Sequence, residues 1–177
     1  LYLRLRSTSP APFSAYLRYP EVTVLSASPE EFIHLENRII RTRPMKGTRP
    51  RGTTIKIDNK LNKQLYDSKK DRAENVMIVD LMRSDLGKVC VPGSINTPEL
   101  FTIEEYPTVF QMVSTIYGQL RQELSAVDVI RACFPGGSVT GAPKIRAMEI
   151  IDELEPTQRS VYCGAIGYIS FSGSMLM

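Results

Sequence analysis

The 177-residue chain has no tryptophan, a single histidine and three cysteines. His34 stands alone, and Cys90, Cys133 and Cys163 form no CxxC pair. Zinc sites need several such ligands at close spacing. A structural zinc and a disulfide framework are therefore excluded, and the isolated thiols point to a reducing compartment. No apolar run reaches the roughly 20 residues that a membrane-crossing helix requires, so the sequence reads as a soluble domain with no membrane association. Internal repeats and low-complexity tracts are lacking too. Acidic residues are scarce between positions 38 and 72, where Asp58, Asp67 and Asp71 face twelve lysines and arginines. Such a block suits an anionic partner, either a small carboxylate or phosphate or a nucleic acid. Single-strand binders interleave aromatics with their basic residues. Here Tyr66 is the only aromatic in the block, which argues against nucleic acid.

What is present fits one domain with a sizeable core, since 42% of the residues are hydrophobic and 23% charged. Short alternating segments at 14–19 and 22–26, then 32–36 and 38–43 around a turn at Asn37, predict antiparallel strands. Residues 7–12, rich in proline, predict a non-helical corner. Residues 43–52 (RPMKGTRPRG) read as a rigid turn, because prolines fix φ and glycines permit positive φ. A helix is expected over 58–68 with Asp58 as its N-cap, and a longer one over 69–86 stopped by Gly87. Its apolar side is read as Val76, Val79, Leu81, Met82 and Leu86. Three short strands (89–91, 94–97, 100–104) and one long strand (109–120, bending at Gly118) follow. Ser125 caps a helix to 134. Pro143 opens another to about 155, with Ile145, Met148, Ile151 and Leu154 as its buried stripe. Residues 160–170 read as a strand, with a partner that ends at Met177. Strand meanders with helices grouped between them give an α+β fold, antiparallel sheets packed with helices. With no initiator Met and with elements that look cut at both ends, residues 1–177 are expected to be an internal part of a longer chain.

Three groups of residues can carry chemistry. Lys46 is the one titratable cation among Arg43, Arg49 and Arg51. If the fold brings the guanidiniums close, their field disfavours the ammonium form and leaves a nucleophilic amine. Glu30, at a strand interruption, is either a polar turn residue or an acid. If the two strands between them fold back as a hairpin, Glu30 and Lys46 meet as an acid and nucleophile pair. The loop 135–142 fails the P-loop pattern, because Ala142-Pro143 separates Gly141 from Lys144. It remains a glycine-rich entry to a helix, serving as a structural cap or as an anion site. Glu74 either complements the helix dipole or offers a carboxylate to a hard cation such as Mg²⁺. Asp80 and Asp85 are read as structural partners of Arg83 and Lys88.

Taken together, residues 25–32 (LSASPEEF), 42–48 (TRPMKGT), 73–87 (AENVMIVDLMRSDLG), 137–144 (GSVTGAPK) and 162–168 (YCGAIGY) resemble the chorismate-utilising enzymes. The likeness covers nearly the whole chain in the family's order. It implies part of a chorismate-binding domain like that of anthranilate synthase component I. Within the family, Lys46 points to the branch that aminates chorismate to 4-amino-4-deoxychorismate, a precursor of p-aminobenzoate and folate; anthranilate synthases usually carry a small residue there and are the alternative. The resemblance implies that Lys46 attacks C2 of chorismate while Glu30 protonates the departing 4-hydroxyl, and that ammonia from a glutamine amidotransferase subunit or fused domain then displaces the lysine. It implies Glu74 as a Mg²⁺ ligand. Gly47, Thr48, Ser138, Thr140 and Gly141 would line the ring carboxylate, and Tyr162 would contact the enolpyruvyl group. Gln111 stands where the family often has histidine, and Ser84 where it has asparagine. The family's remaining Mg²⁺ glutamates and its enolpyruvyl arginine fall beyond Met177, so an isolated piece of this length is expected to be inactive. A cytoplasmic location is expected, or a plastid one for a plant protein.

Overall fold

A computed structural model describes residues 1–177. In chain order the elements are α1 (Tyr2–Thr8), β1 (Phe13–Arg18), β2 (Thr23–Ser28), β3 (His34–Glu36), β4 (Ile39–Thr42), β5 (Met45–Pro50), α2 (Ile55–Tyr66), α3 (Lys69–Gly87), β6 (Asn96–Glu105), β7 (Val109–Gln119), α4 (Ala126–Cys133), α5 (Gly137–Thr140), α6 (Lys144–Leu154), β8 (Tyr168–Ile169) and β9 (Met175–Leu176). β1 and β2 form a separate hairpin, and the other strands build one sheet in which every pairing is antiparallel. The expected α+β class holds.

Strand β7 is the spine of that sheet. β6 pairs along one of its edges, while β5 and then β4 share the other. Its sequence, VFQMVSTIYGQ, is dense in β-branched and apolar side chains, and Met112, Val113, Ser114 and Ile116 are fully buried. A strand covered on both faces has no need to alternate. Gly118 lacks a side chain where one would collide with Cys90, the Cβ position lying 2.5 Å from its Sγ.

Helix α3 packs across this sheet, burying Ile78, Val79, Met82 and Leu86 against Ile33, Ile40 and Ile116 in the main core. Its buried face also carries Asp71, Asn75 and Asp85. Asn75 receives the Ser114 hydroxyl at 2.5 Å and donates to the Met112 carbonyl at 3.4 Å, while the Phe101 N–H donates to Ser114 Oγ at 3.1 Å. These bonds tie α3, β7 and β6 together through groups that water cannot reach. Val76 faces outward instead of lying on the apolar side.

Several local expectations are corrected. Residues 43–52 are not a free turn, since Met45–Pro50 is strand β5 and carries a bulge. Helix α2 starts before Asp58. Thr54 is its N-cap, accepting from the Ile57 N–H at 3.3 Å, because the Asp58 carboxylate is taken up by Arg51 and the Gly52 N–H. Pro98 does not interrupt β6, which lies at a sheet edge where proline is tolerated and takes up the mismatch in register shifts. The proline-rich corner begins later than expected, as Ser7 and Thr8 belong to α1. Residues 160–163 form a turn, 164–167 have no regular structure, and only Tyr168–Ile169 is strand. The stripe on α6 is not buried: Ile145 and Leu154 are each 75% exposed, and no other part of the chain covers them. No helix is long and apolar enough to cross a membrane.

Removing the Ser114 hydroxyl strands buried Asn75 without its strongest partner. Ser114→Ala is expected to cost about 1–3 kcal/mol, read as a lower urea midpoint with an unchanged m-value. An unaltered midpoint would show that the network is not holding α3 to β7.

Candidate active site

The site begins with the bulge in β5. Met45 pairs with Val113 and Thr48 with Gln111, so Lys46 and Gly47 together face one residue of β7. Bulges re-aim side chains, and this one has a steric cause. Gly47 has φ +99° and is pressed so closely onto the neighbouring helices that a Cβ would lie 2.9 Å from Asp71 Cβ and 3.0 Å from Leu65 Cδ1. With the backbone held there, Lys46 reaches the short helix α5, and its Nζ donates to the Ser138 carbonyl at 3.2 Å.

Glu30 arrives at the same place from the other direction. β3 and β4 fold back as a hairpin, with His34 opposite Arg41, and the Arg43 N–H returns to the Glu31 carbonyl at 3.3 Å. Burial pushes the Glu30 carboxyl above the usual glutamate range. The Ser138 side chain, the Met45 backbone and the charge of Lys46 pull it only part of the way back. Ser138 thus stands between the two: its carbonyl accepts from Lys46, and its side chain lines the same cavity as Glu30.

The field assigned to the three arginines is not there. Arg43 pairs with Glu104, Arg49 with Asp71 at 2.8 Å, and Arg51 with Asp58 at 2.5 Å and Glu105 at 3.3 Å. Each guanidinium is spent on a carboxylate brought in by the fold. No carboxylate lies in ion-pair range of Lys46 itself.

Glu30, Ser138 and Tyr162 line one largely apolar cavity of about 600 Å³, walled by Leu25, Phe32 and Phe134 among others. Tyr162 is 73% exposed at its rim. Lys46 contacts Ser138 from outside this wall. Thr48 donates to Gln111 Oε1 at 2.8 Å on the exposed surface of β5 and β7. Thr140 spends its hydroxyl on the Gly136 carbonyl at 3.0 Å, and the Gly141 N–H closes α5 onto Gly137 at 3.1 Å. The paired glycines serve protein packing: a Cβ on Gly137 would stand 2.6 Å from Leu81 Cδ2, and one on Gly136 3.3 Å from Phe32 Cε2.

Across residues 1–177 the chain matches the family described as chorismate binding enzyme. The chain belongs to that family. It is 58% identical over 172 residues to aminodeoxychorismate synthase component 1 of Salmonella typhimurium, covering 97% of this chain and 38% of that protein. It is 50% identical to a probable chloroplastic aminodeoxychorismate synthase of Oryza sativa, covering 97% of this chain and 20% of the other. The crystal structure of anthranilate synthase component I from Streptococcus pneumoniae superposes with a TM-score of 0.89 at 36% identity, covering 99% of this chain and 38% of that one. The chain therefore spans well under half the length of these relatives.

Nowhere do three or more His, Cys, Asp or Glu side chains gather. Glu74 stands on α3 one turn before Ile78, half exposed, with only Lys70 near it at 3.7 Å. One loosely engaged carboxylate fits Mg²⁺, which takes one or two protein carboxylates and completes its shell with substrate and water. Asp80 pairs with Arg83 at 3.1 Å and Asp85 with Lys88 at 2.8 Å, as expected. Asp85 has a second partner that local spacing does not show. Lys144, at the start of α6, also pairs with it.

The raised Glu30 carboxyl has a stability consequence. The folded state binds this proton more tightly than the unfolded state, so its contribution is present below the ordinary glutamate pKa and is lost as pH rises through the folded value. Glu30→Gln should therefore raise the thermal midpoint at pH 8, with the gain shrinking toward pH 5. A variant less stable than the parent at pH 8 would contradict a buried, proton-holding Glu30.

Proposed function

We propose that the protein carrying this chain aminates chorismate to 4-amino-4-deoxychorismate, a step toward p-aminobenzoate and folate, by way of a covalent intermediate on Lys46. The observation carrying this reading is the meeting of Lys46 and Glu30 across Ser138. One group is an amine uncommitted to any ion pair, and the other is a carboxyl that keeps its proton to higher pH than usual. Support also comes from relatives that bear the name aminodeoxychorismate synthase.

Lys46 Nζ, as the free amine, forms a bond to C2, both conjugated ring double bonds move one position (C1=C2 to C1=C6, C5=C6 to C4=C5), and the C4–O bond breaks as Glu30 gives its proton to the departing hydroxyl, releasing water. Ammonia then bonds to C4, both double bonds move back, and Lys46 leaves C2 as a neutral amine. The Glu30 carboxylate takes a proton from the new C4 ammonium and is reset. The Ser138 carbonyl orients Nζ during attack, and its side chain holds the Glu30 carboxyl within reach. Tyr162 on the cavity rim and the Thr48–Gln111 pair beside Lys46 are assigned to substrate contact, along with Gly47, Thr140 and Gly141 through their backbone. Mg²⁺ bound at Glu74 would neutralise a substrate carboxylate. Ammonia is assigned to a glutamine amidotransferase, matching the relatives' designation as component 1 of a synthase. The compartment follows the source, chloroplast for a plant protein and cytoplasm for a bacterial one.

A second reading, anthranilate synthase component I, is favoured by the closely superposing Streptococcus pneumoniae structure. Product analysis separates the two. The full-length protein with chorismate, Mg²⁺ and ammonium should yield 4-amino-4-deoxychorismate without pyruvate, and Lys46→Ala should lose at least about 100-fold in turnover, the scale set by loss of a positioned catalytic group. Pyruvate release with no added lyase, or undiminished turnover by Lys46→Ala, would overturn the reading.

A further inference from the structure

Ser138 is the hinge of the reacting pair, yet α5, which carries it, is only four residues long and cannot hold itself in place. Two anchors are packing contacts, Gly137 on Leu81 and Gly136 on Phe32. A third is a hydrogen bond of 2.8 Å from the Arg159 guanidinium to the Val139 carbonyl. The fourth differs in kind. Lys144, at the start of α6, turns its side chain inward until only 10% of it is exposed, and donates to the Cys133 carbonyl at 2.7 Å. It therefore closes the segment from Cys133 to Lys144 into a ring, with Ser138 near its middle. The same ammonium pairs with Asp85, whose side chain is 2% exposed on the inner face of α3. The ring is thereby stapled to the helix whose first turn also packs on Gly47.

A buried ion pair is weak evidence of a stability role, because apolar side chains of similar volume often serve as well. What such side chains cannot supply is a directed bond to one carbonyl at the loop's base. We infer that Lys144, held by Asp85, is a positioning residue for the Lys46–Glu30 pair. Its ammonium fixes the loop so that Ser138 lies where both reacting groups can use it. This inference rests on the reading given under Proposed function.

The test uses the full-length protein and two variants, Lys144→Met and the double variant Asp85→Leu/Lys144→Met. The single variant leaves Asp85 with only Lys88 as a charged partner, so a loss of folding is possible there; the double variant removes both members of the pair. Expected for the double variant are a thermal midpoint near that of the parent, a kcat for chorismate lowered about 100-fold, as misplacement of about 1 Å can do, and a KM little changed. Amide exchange at residues 137–141 should be faster than in the parent under native conditions. Recovery of kcat together with stability in the double variant would reduce the pair to a structural role and overturn the inference. Should the parent protein consume no chorismate, the functional reading fails by itself. The exchange arm then decides: faster exchange at 137–141 sustains the clamp, and unchanged exchange overturns it.

Discussion

One steric constraint governs the arrangement. The backbone at Gly47 is pressed against Asp71 and Leu65 with no room for a side chain, and it sits at positive φ in the middle of β5. A strand so pinned cannot keep register with β7, so it bulges, and the bulge directs Lys46 toward α5. Asp71, which crowds Gly47, is itself held by Arg49 two residues further along the same strand. The contact thus closes on itself, with helix pressing strand and strand gripping helix. Lys46 inherits its aim from a packing problem solved elsewhere.

The charges tell a complementary story. A block with four basic residues for every acidic one looks like an open cationic surface. The fold instead brings Glu31, Glu104, Asp71 and Asp58 to Arg41, Arg43, Arg49 and Arg51 in turn. These pairs join β4, β5 and the residues flanking β5 to Glu31, to β6, to α3 and to α2, so the arginines act as ties between elements. Lys46 is the cation of the turn left without such a tie. Burial is the main reason that the Glu30 carboxyl holds its proton to higher pH than usual.

Much of this was legible in the sequence, for identifiable reasons. The hairpin about Asn37, the long apolar run of β7 and the Ser125 cap of α4, a capping box with Asp128, all follow from local rules. So does the meeting of Glu30 with Lys46, since folding back two strands requires it. Errors came where distant residues decide. Asp58 is a poor guide to the start of α2 because Arg51 claims it, and the paired glycines before Ser138 look like a ligand cradle because Leu81 and Phe32 are far away in sequence. The stripe on α6 has the right period and nothing in the chain to cover it. The role of Lys144 is hidden from local rules because its partner Asp85 lies 59 positions away.

The account depends on Lys46 acting as a nucleophile and not as a mere counter-charge for substrate. The most direct measurement is mass spectrometry of the full-length protein quenched during turnover of chorismate with Mg²⁺ present and ammonia withheld. The peptide containing Lys46 should carry the substrate skeleton less one water, and the adduct should vanish when ammonium is added and the reaction runs to completion. Amination that proceeds at full rate with no adduct at Lys46 at any time point would contradict the account.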